Sequence, residues 1–214
     1  MQIEIWADVV CPWCYLGTRH FEQALERFPH RDEVEAVYRS FELDPSVPAG
    51  VTAPTAEVLA SKYGMGLEQA REAQRQMEQR AAQAGLTFRM EDLRSGNTRD
   101  AHRLLHLARA RGRQAEMAER LYRAYFTDQA SVFDHASLAG LAADAGLDRD
   151  EAQAVLAGDE YSLAVDADEE MARSFGISGV PFFVIDRRYG ISGAQPAETI
   201  AAVLERVWAE TAAA

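Results

Sequence analysis

Residues 7–19 read ADVVCPWCYLGTR, and Cys11 and Cys14 within this stretch are the only cysteines of the chain. A disulfide between positions three apart closes too small a loop to remove much chain entropy, so a stabilising staple is not expected and the pair has a chemical role or none. The segment before it, QIEIWADVV at 2–10, is rich in β-formers and predicts a strand. The segment after it, CYLGTRHFEQALERF at 14–28, sets Phe21, Ala24, Leu25 and Phe28 at helical spacing. The cysteines therefore stand where a strand feeds a helix, the place where ligand chemistry gathers in α/β sheets.

That position gives the pair its chemistry. Cysteines at i and i+3 of a first helical turn share a face and fall within disulfide reach. Cys11 at the helix start would face unpaired backbone N–H groups, which favour a thiolate. Pro12 suits the first turn, where its missing N–H has no partner to lose. Cys14, one turn further in, is expected to be the more protected thiol. An accessible nucleophile beside a protected resolving thiol is what disulfide exchange requires. Two other readings compete. Structural zinc wants four ligands and the chain offers two cysteines; His102 and His106 share a helix face but lack a carboxylate-rich partner motif, so no metal is expected and that face is read as partly exposed. Two inert buried thiols form the other alternative.

Working outward, EVEAVYRSFEL at 33–43 predicts a second strand and completes a β-α-β unit, and Asp44-Pro45 with Pro48-Ala49-Gly50 marks a loop. From about 55 to 175 the chain reads as successive helices punctuated by glycines at 64, 85, 112, 146, 158 and 176. ISGVPFFVIDRRYGISGA then reads as a hairpin turning near Arg187–Gly190, and PAETIAAVLERVWAE as a closing amphipathic helix with Ile200, Val203, Leu204 and Val207 on one side. The fold class is α/β. Residues 1–54 and 176–214 form a discontinuous core, and 55–175 form an inserted α-helical domain.

The bulk numbers exclude several function classes. With 214 residues and 48% hydrophobic content, the chain can bury a substantial core. A formal charge of −12, with Lys62 the sole lysine, repels nucleic acid and anionic lipid, so neither partner is expected. The N-terminus moves straight into a strand without a basic leader, which points to the cytoplasm.

The pieces DVVCPWCYLG, NTRDAHRL and GVPFFVIDRRYGISGAQ together resemble the thioredoxin superfamily, in particular its DsbA-like branch and the FrnE-type dithiol–disulfide oxidoreductases. The resemblance covers essentially the whole chain. It implies a thioredoxin fold with a large helical insertion and a thiol–disulfide oxidoreductase or isomerase acting on protein or low-molecular-weight thiols. Cys11 and Cys14 would be the redox pair, and Val180-Pro181 a cis bond facing them. Pro181 would shape the docking edge, with Pro12, Trp13 and Val180 meeting substrate. The enzyme's own disulfide would serve as cofactor, with glutathione a candidate co-substrate, in a monomer or homodimer.

Two departures stand out. The buried carboxylate that thioredoxins often carry six residues before the first cysteine is replaced by Ile5, and Asp8 is expected to point to the opposite face from Val9. Asn97-Thr98 and the SGAQ at 192–195 match segments that hold glutathione in some relatives, yet a helix cap and a turn explain them more simply. The competing function is a glutathione-dependent isomerase or transferase, of the 2-hydroxychromene-2-carboxylate isomerase or kappa class, acting on a small aromatic molecule. That class usually has serine where Cys11 stands. A non-catalytic chaperone using the insertion as a binding surface is the third reading.

Overall fold

A computed structural model of the chain describes residues 1–212; residues 213 and 214, the end of the expected core segment, lie outside it. The order is β1 (Gln2–Ala7), α1 (Pro12–Arg27), a short 3-10 turn at Arg31–Glu33, β2 (Glu35–Ser40), β3 (Thr52–Pro54), α2 (Thr55–Tyr63), α3 (Leu67–Gln83) and β4 (Arg94–Gly96). It continues with α4 (Arg99–Ala110), α5 (Gln114–Phe126), α6 (His135–Asp144), α7 (Arg149–Ala157), α8 (Ser162–Ser174), β5 (Phe182–Ile185), β6 (Tyr189–Ser192) and α9 (Ala197–Ala212). Four strands make one sheet in the order β2-β1-β5-β6. β1 runs parallel to β2 and antiparallel to β5, and β6 returns antiparallel along β5.

The parallel β1–β2 step needs a crossover, and α1 supplies it. The β5–β6 step needs only a tight turn. Asp186 and Arg187 adopt φ of 47° and 55°, and the Arg188 amide donates to the Ile185 carbonyl at 3.0 Å, as in a type I′ turn. Asp186 meets the cost of that conformation by accepting the Gln2 amide on its side chain at 2.7 Å, which also ties the turn to β1.

Strand alternation divides the burial. Ile3 and Ile5 of β1, with Phe183 and Ile185 of β5, face α1 and α9, where Phe21 lies 5.7 Å from Phe183 and Ile200, Leu204 and Val207 close the layer. Trp6 and Val184 face the other way and meet Ala172 of α8 and Ile177, with Phe175 edge-on to Trp6 at 5.7 Å. Thus α8, although it comes from the 55–175 segment, covers the second face of the sheet. The remaining helices pack around Leu104, Leu107, Met117, Leu121, Phe126 and Leu138, continuous with the first face of the sheet. The segment read as almost entirely helical also contributes β4, which pairs with β3 from Thr52 to Pro54. Three-residue strands carry too little periodicity to be read from sequence.

Charge is buried where α8 meets the sheet. Glu4 shares the strand face of Trp6 and is 1% exposed. Arg39 donates through Nε to Glu4 Oε1 at 2.9 Å and through Nη1 to Asp168 Oδ1 at 3.0 Å. Asp168 also accepts the Ser40 amide at 2.9 Å and stands 3.2 Å from His106 Nε2, while its backbone carbonyl takes the Trp6 indole N–H at 3.0 Å. Burial alone would raise the Asp168 pKa, but His106, the Ser40 amide and Arg39 together hold it below the usual 3.8. Removing one partner of such a group leaves the others as uncompensated buried charge. Arg39→Met is expected to destabilise the protein by about 3 kcal/mol, the lower end for a broken buried pair because Arg187 and His106 still face the two carboxylates. Urea unfolding at pH 7 measures this, and a loss under about 1 kcal/mol would show that the cluster is solvated rather than buried.

Candidate active site

The chain leaves β1, turns at Asp8, and enters α1 at Pro12. The Cys11 amide donates to the Asp8 carbonyl at 3.1 Å, which sets the turn. Cys11 is the N-cap residue of α1: its backbone is extended and its sulfur accepts the Cys14 amide at 3.2 Å. One of the free N–H groups of the helix start is therefore aimed at the Cys11 sulfur. Pro12 occupies the first helical position. Both thiols are free.

The expected contrast in exposure is narrower than the sequence suggested. Cys11 is itself buried, at 4% exposure, against 0% for Cys14. The difference lies in surroundings. Burial first, then the hydrogen bond and charge of Cys11, push the Cys14 pKa well above the ordinary thiol value; the Asp8 amide pulls it down and the Asp8 carboxylate pushes it up. Cys14 is therefore held as a neutral thiol.

Val180-Pro181 is cis, and the Cys11 sulfur lies 3.8 Å from the Val180 carbonyl oxygen. This loop is pressed on α1. A Cβ at Gly17 would stand 2.7 Å from Pro181 Cγ and 3.4 Å from the Ala194 backbone, so only glycine lets the helix approach this closely. The SGAQ segment is a turn: Gly193 takes φ of 78° and its amide donates to the Pro181 carbonyl at 2.9 Å. Asn97 accepts the Arg99 amide at 3.0 Å, closing the start of α4, while Thr98 makes no side-chain cap. Trp13 is 44% exposed, and the Arg80 guanidinium of α3 sits over its ring at 5.6 Å. On the buried side of α1, Tyr15 stacks between Tyr122 and Phe88, at 4.8 and 5.5 Å, and donates to Glu119 at 2.8 Å. The start of α1 is thus clamped between Pro181 and Ala194, at the two ends of the β5–β6 hairpin, and helices of the 55–175 segment.

One sequence expectation fails here. His102 and His106 do not lie on a partly exposed face: both are buried, His102 at 1%. Asp8 is equally enclosed. Its Oδ2 accepts the Leu43 amide at 2.8 Å, and its Oδ1 stands 3.3 Å from His102 Nε2 without the alignment of a hydrogen bond. The helical i, i+4 spacing of the histidines was visible; that a turn after β1 would bring a carboxylate to them was not.

Burial on its own would lower the His102 pKa, but Asp8, and then Glu42 and Asp168, raise it above the ordinary 6.5. Folding therefore holds a proton on His102 that the unfolded chain releases as pH passes 6.5. The resulting stabilisation is complete below pH 6.5 and is lost as pH rises through the higher folded value. Urea midpoints measured from pH 6 to 8 should fall with rising pH, and His102→Gln should flatten that slope. An unchanged slope in the variant would remove His102 as its source.

The model of the DsbA-like thioredoxin domain matches residues 2–205. A probable DsbA oxidoreductase from Streptomyces coelicolor is 50% identical over 98% of this chain and 91% of its own, with a TM-score of 0.94. A 2-hydroxychromene-2-carboxylate isomerase is 13% identical over 99% and 98% of the two chains, with a TM-score of 0.75. The cytosolic disulfide reductase DsbM from Pseudomonas aeruginosa, solved with GSH, is 17% identical over 97% and 99%, with a TM-score of 0.67. At such identities the last two are likenesses of fold alone. No curated protein matches the chain. The sheet order, the cysteine-capped helix and the family match over nearly the whole length agree: the chain belongs to the DsbA-like thioredoxin-domain family of thiol–disulfide oxidoreductases.

Proposed function

We propose that the chain is a cytoplasmic, FrnE-type dithiol–disulfide oxidoreductase in which Cys11 is the nucleophile and Cys14 the resolving thiol. The observation that carries this reading is the seat of Cys11: a sulfur at a helix N-cap, taking the Cys14 amide at 3.2 Å and lying 3.8 Å from the Val180 carbonyl. In the reductive direction the Cys11 thiolate attacks a substrate disulfide, forming a mixed disulfide and expelling one substrate thiolate, which takes a proton from solvent. Cys14 then loses its proton as its sulfur attacks Cys11. The Cys11–Cys14 bond forms, the second substrate thiol leaves, and the enzyme carries the two-electron oxidation. Run backwards, the same steps oxidise or reshuffle a substrate dithiol. Pro181 and the Val180 backbone form the edge on which an extended substrate segment lies, and Pro12 and Trp13 form the rim. Glutathione, as co-substrate, restores the dithiol.

The elevated Cys14 pKa supports the order of events. A neutral, enclosed thiol does not compete for incoming disulfides and reacts only once a mixed disulfide is within reach.

Cys14→Ser tests the assignment. Cells expressing it should yield the protein with adducts on Cys11, released by dithiothreitol, while Cys11→Ser carries none. Insulin reduction with glutathione should fall to background in both variants. The glutathione-dependent isomerase reading predicts the opposite for the second thiol, since such chemistry does not need Cys14. Wild-type glutathione-dependent turnover in Cys14→Ser, with no trapped adduct, would decide for that reading.

A further inference from the structure

Beside the thiols lies a cavity of about 430 Å³ between the 43–51 loop, β3, β4 and α2. It reaches Val10, the residue before Cys11, and Asp8, whose carbonyl seats the Cys11 amide. Val47, Val58 and Leu59 supply apolar wall. Leu43, Val51 and Tyr63, also lining it, are among the exposed large apolar side chains of the protein, so the mouth is apolar as well. Small-molecule sites have this size and character, with a few placed polar groups.

The polar groups of the lining sort into satisfied and unsatisfied. Asp44 accepts from the Ser46 amide and hydroxyl at 3.2 and 2.6 Å. Thr55 is engaged by Ser95 and Tyr125. One cation is left. Lys62, the sole lysine of a chain with net charge −12, makes no ion pair among the described residues, and its Nζ has only the Leu43 carbonyl, at 3.5 Å. Asp8 Oδ1 is enclosed, with His102 Nε2 3.3 Å away, and does not open onto the cavity. The cavity thus presents an available cation near its mouth and an apolar wall reaching Val10 beside the thiols.

We infer that this cavity binds a small molecule with an apolar, aromatic-sized body and one anionic group paired with Lys62. Binding stands apart from the thiol chemistry; that the occupant is a low-molecular-weight thiol or disulfide delivered to Cys11 rests on the disulfide-exchange reading.

The probe is 8-anilino-1-naphthalenesulfonate, which carries an apolar body and one anion. Its control is N-phenyl-1-naphthylamine, the same body without the sulfonate. Titrations use the full chain as Cys11→Ser, so that the outcome is independent of whether the protein exchanges disulfides. The sulfonate is expected to bind at one site about fivefold or more tighter than the neutral control, the upper range for a partly exposed ion pair. Lys62→Met should erase that preference without touching the apolar wall. Val58→Trp, which fills the cavity, should lose both dyes while keeping its urea transition, and Trp13→Ala should change neither. Equal affinity for the two dyes in the parent would assign the cavity to an uncharged group, such as a side chain of a protein substrate, and overturn the inference. So would a preference that survives Lys62→Met, or dye binding that survives Val58→Trp. A protein that binds the sulfonate as described yet reduces no disulfide keeps the cavity assignment and loses the proposed function; the converse result does the reverse.

Discussion

The start of a helix leaves backbone N–H groups without helical partners, and in α1 one of these is aimed at the Cys11 sulfur. The rest of the site is arranged around that contact. It requires the chain to leave β1 in a turn closed by the Asp8 carbonyl, which puts the Asp8 side chain under the helix and beside Cys14. Pro12 fits the first position, and the helical register then places Trp13 outward and Cys14 inward. The approach of Pro181 and Ala194 is then possible only because position 17 has no side chain. One capping interaction thereby determines which thiol is outermost, which is enclosed, and which backbone segment faces the outer sulfur.

That arrangement is held in place by buried charge rather than by apolar packing alone. The Glu4–Arg39–Asp168–His106 cluster joins the middle of the sheet to α8 and α4, and Asp8–His102 joins the end of β1 to α4. Such clusters cost desolvation and add little net stability over apolar residues of the same shape, but they penalise any other arrangement heavily, because each alternative leaves a charge unpaired. A helical block that must sit at one position relative to two cysteines gains from that penalty. Apolar surfaces tolerate sliding; a guanidinium between two carboxylates does not.

Much of the fold was legible in the sequence. Strand, CPWC, helix and strand follow from periodicity and punctuation, and so do the helices of the 55–175 segment, since each ends at a glycine or a cap. The hairpin near Arg187 and the C-terminal helix were legible for the same reason. What escaped depends on contacts between residues distant in sequence. The partners of Asp8 escaped because strand alternation says where a side chain leaves the backbone, not what a turn brings to meet it. The two histidines looked half-exposed because a helix with many arginines reads as solvated, although Arg103 of α4 is itself buried and donates to the Glu160 and Gly158 carbonyls. The β3–β4 ladder is too short for a period. The apolar residues of the 43–51 loop, Leu43, Val47 and Val51, were a visible signal, since a surface connection has little reason to carry them.

The likeness of this chain to an isomerase and to a disulfide reductase, each under 20% identical, separates what the fold supplies from what the residues supply. The fold supplies a helix N-terminus, a cis-proline loop and a helical wall beside them, and these suit any chemistry that places a soft or negative atom at the cap. Which chemistry follows depends on two local choices. The first is whether a second thiol stands one turn into the helix; here Cys14 does, enclosed and kept neutral, and an exchange reaction needs such a group whereas an isomerisation does not. The second is what the adjoining cavity accepts. Its walls are apolar and its one available cation, Lys62, stands near the mouth, so an anionic molecule would be oriented rather than merely retained. An oriented small molecule beside a capped thiol is compatible with either chemistry, and it is therefore Cys14, not the cavity or the fold, on which the two readings differ.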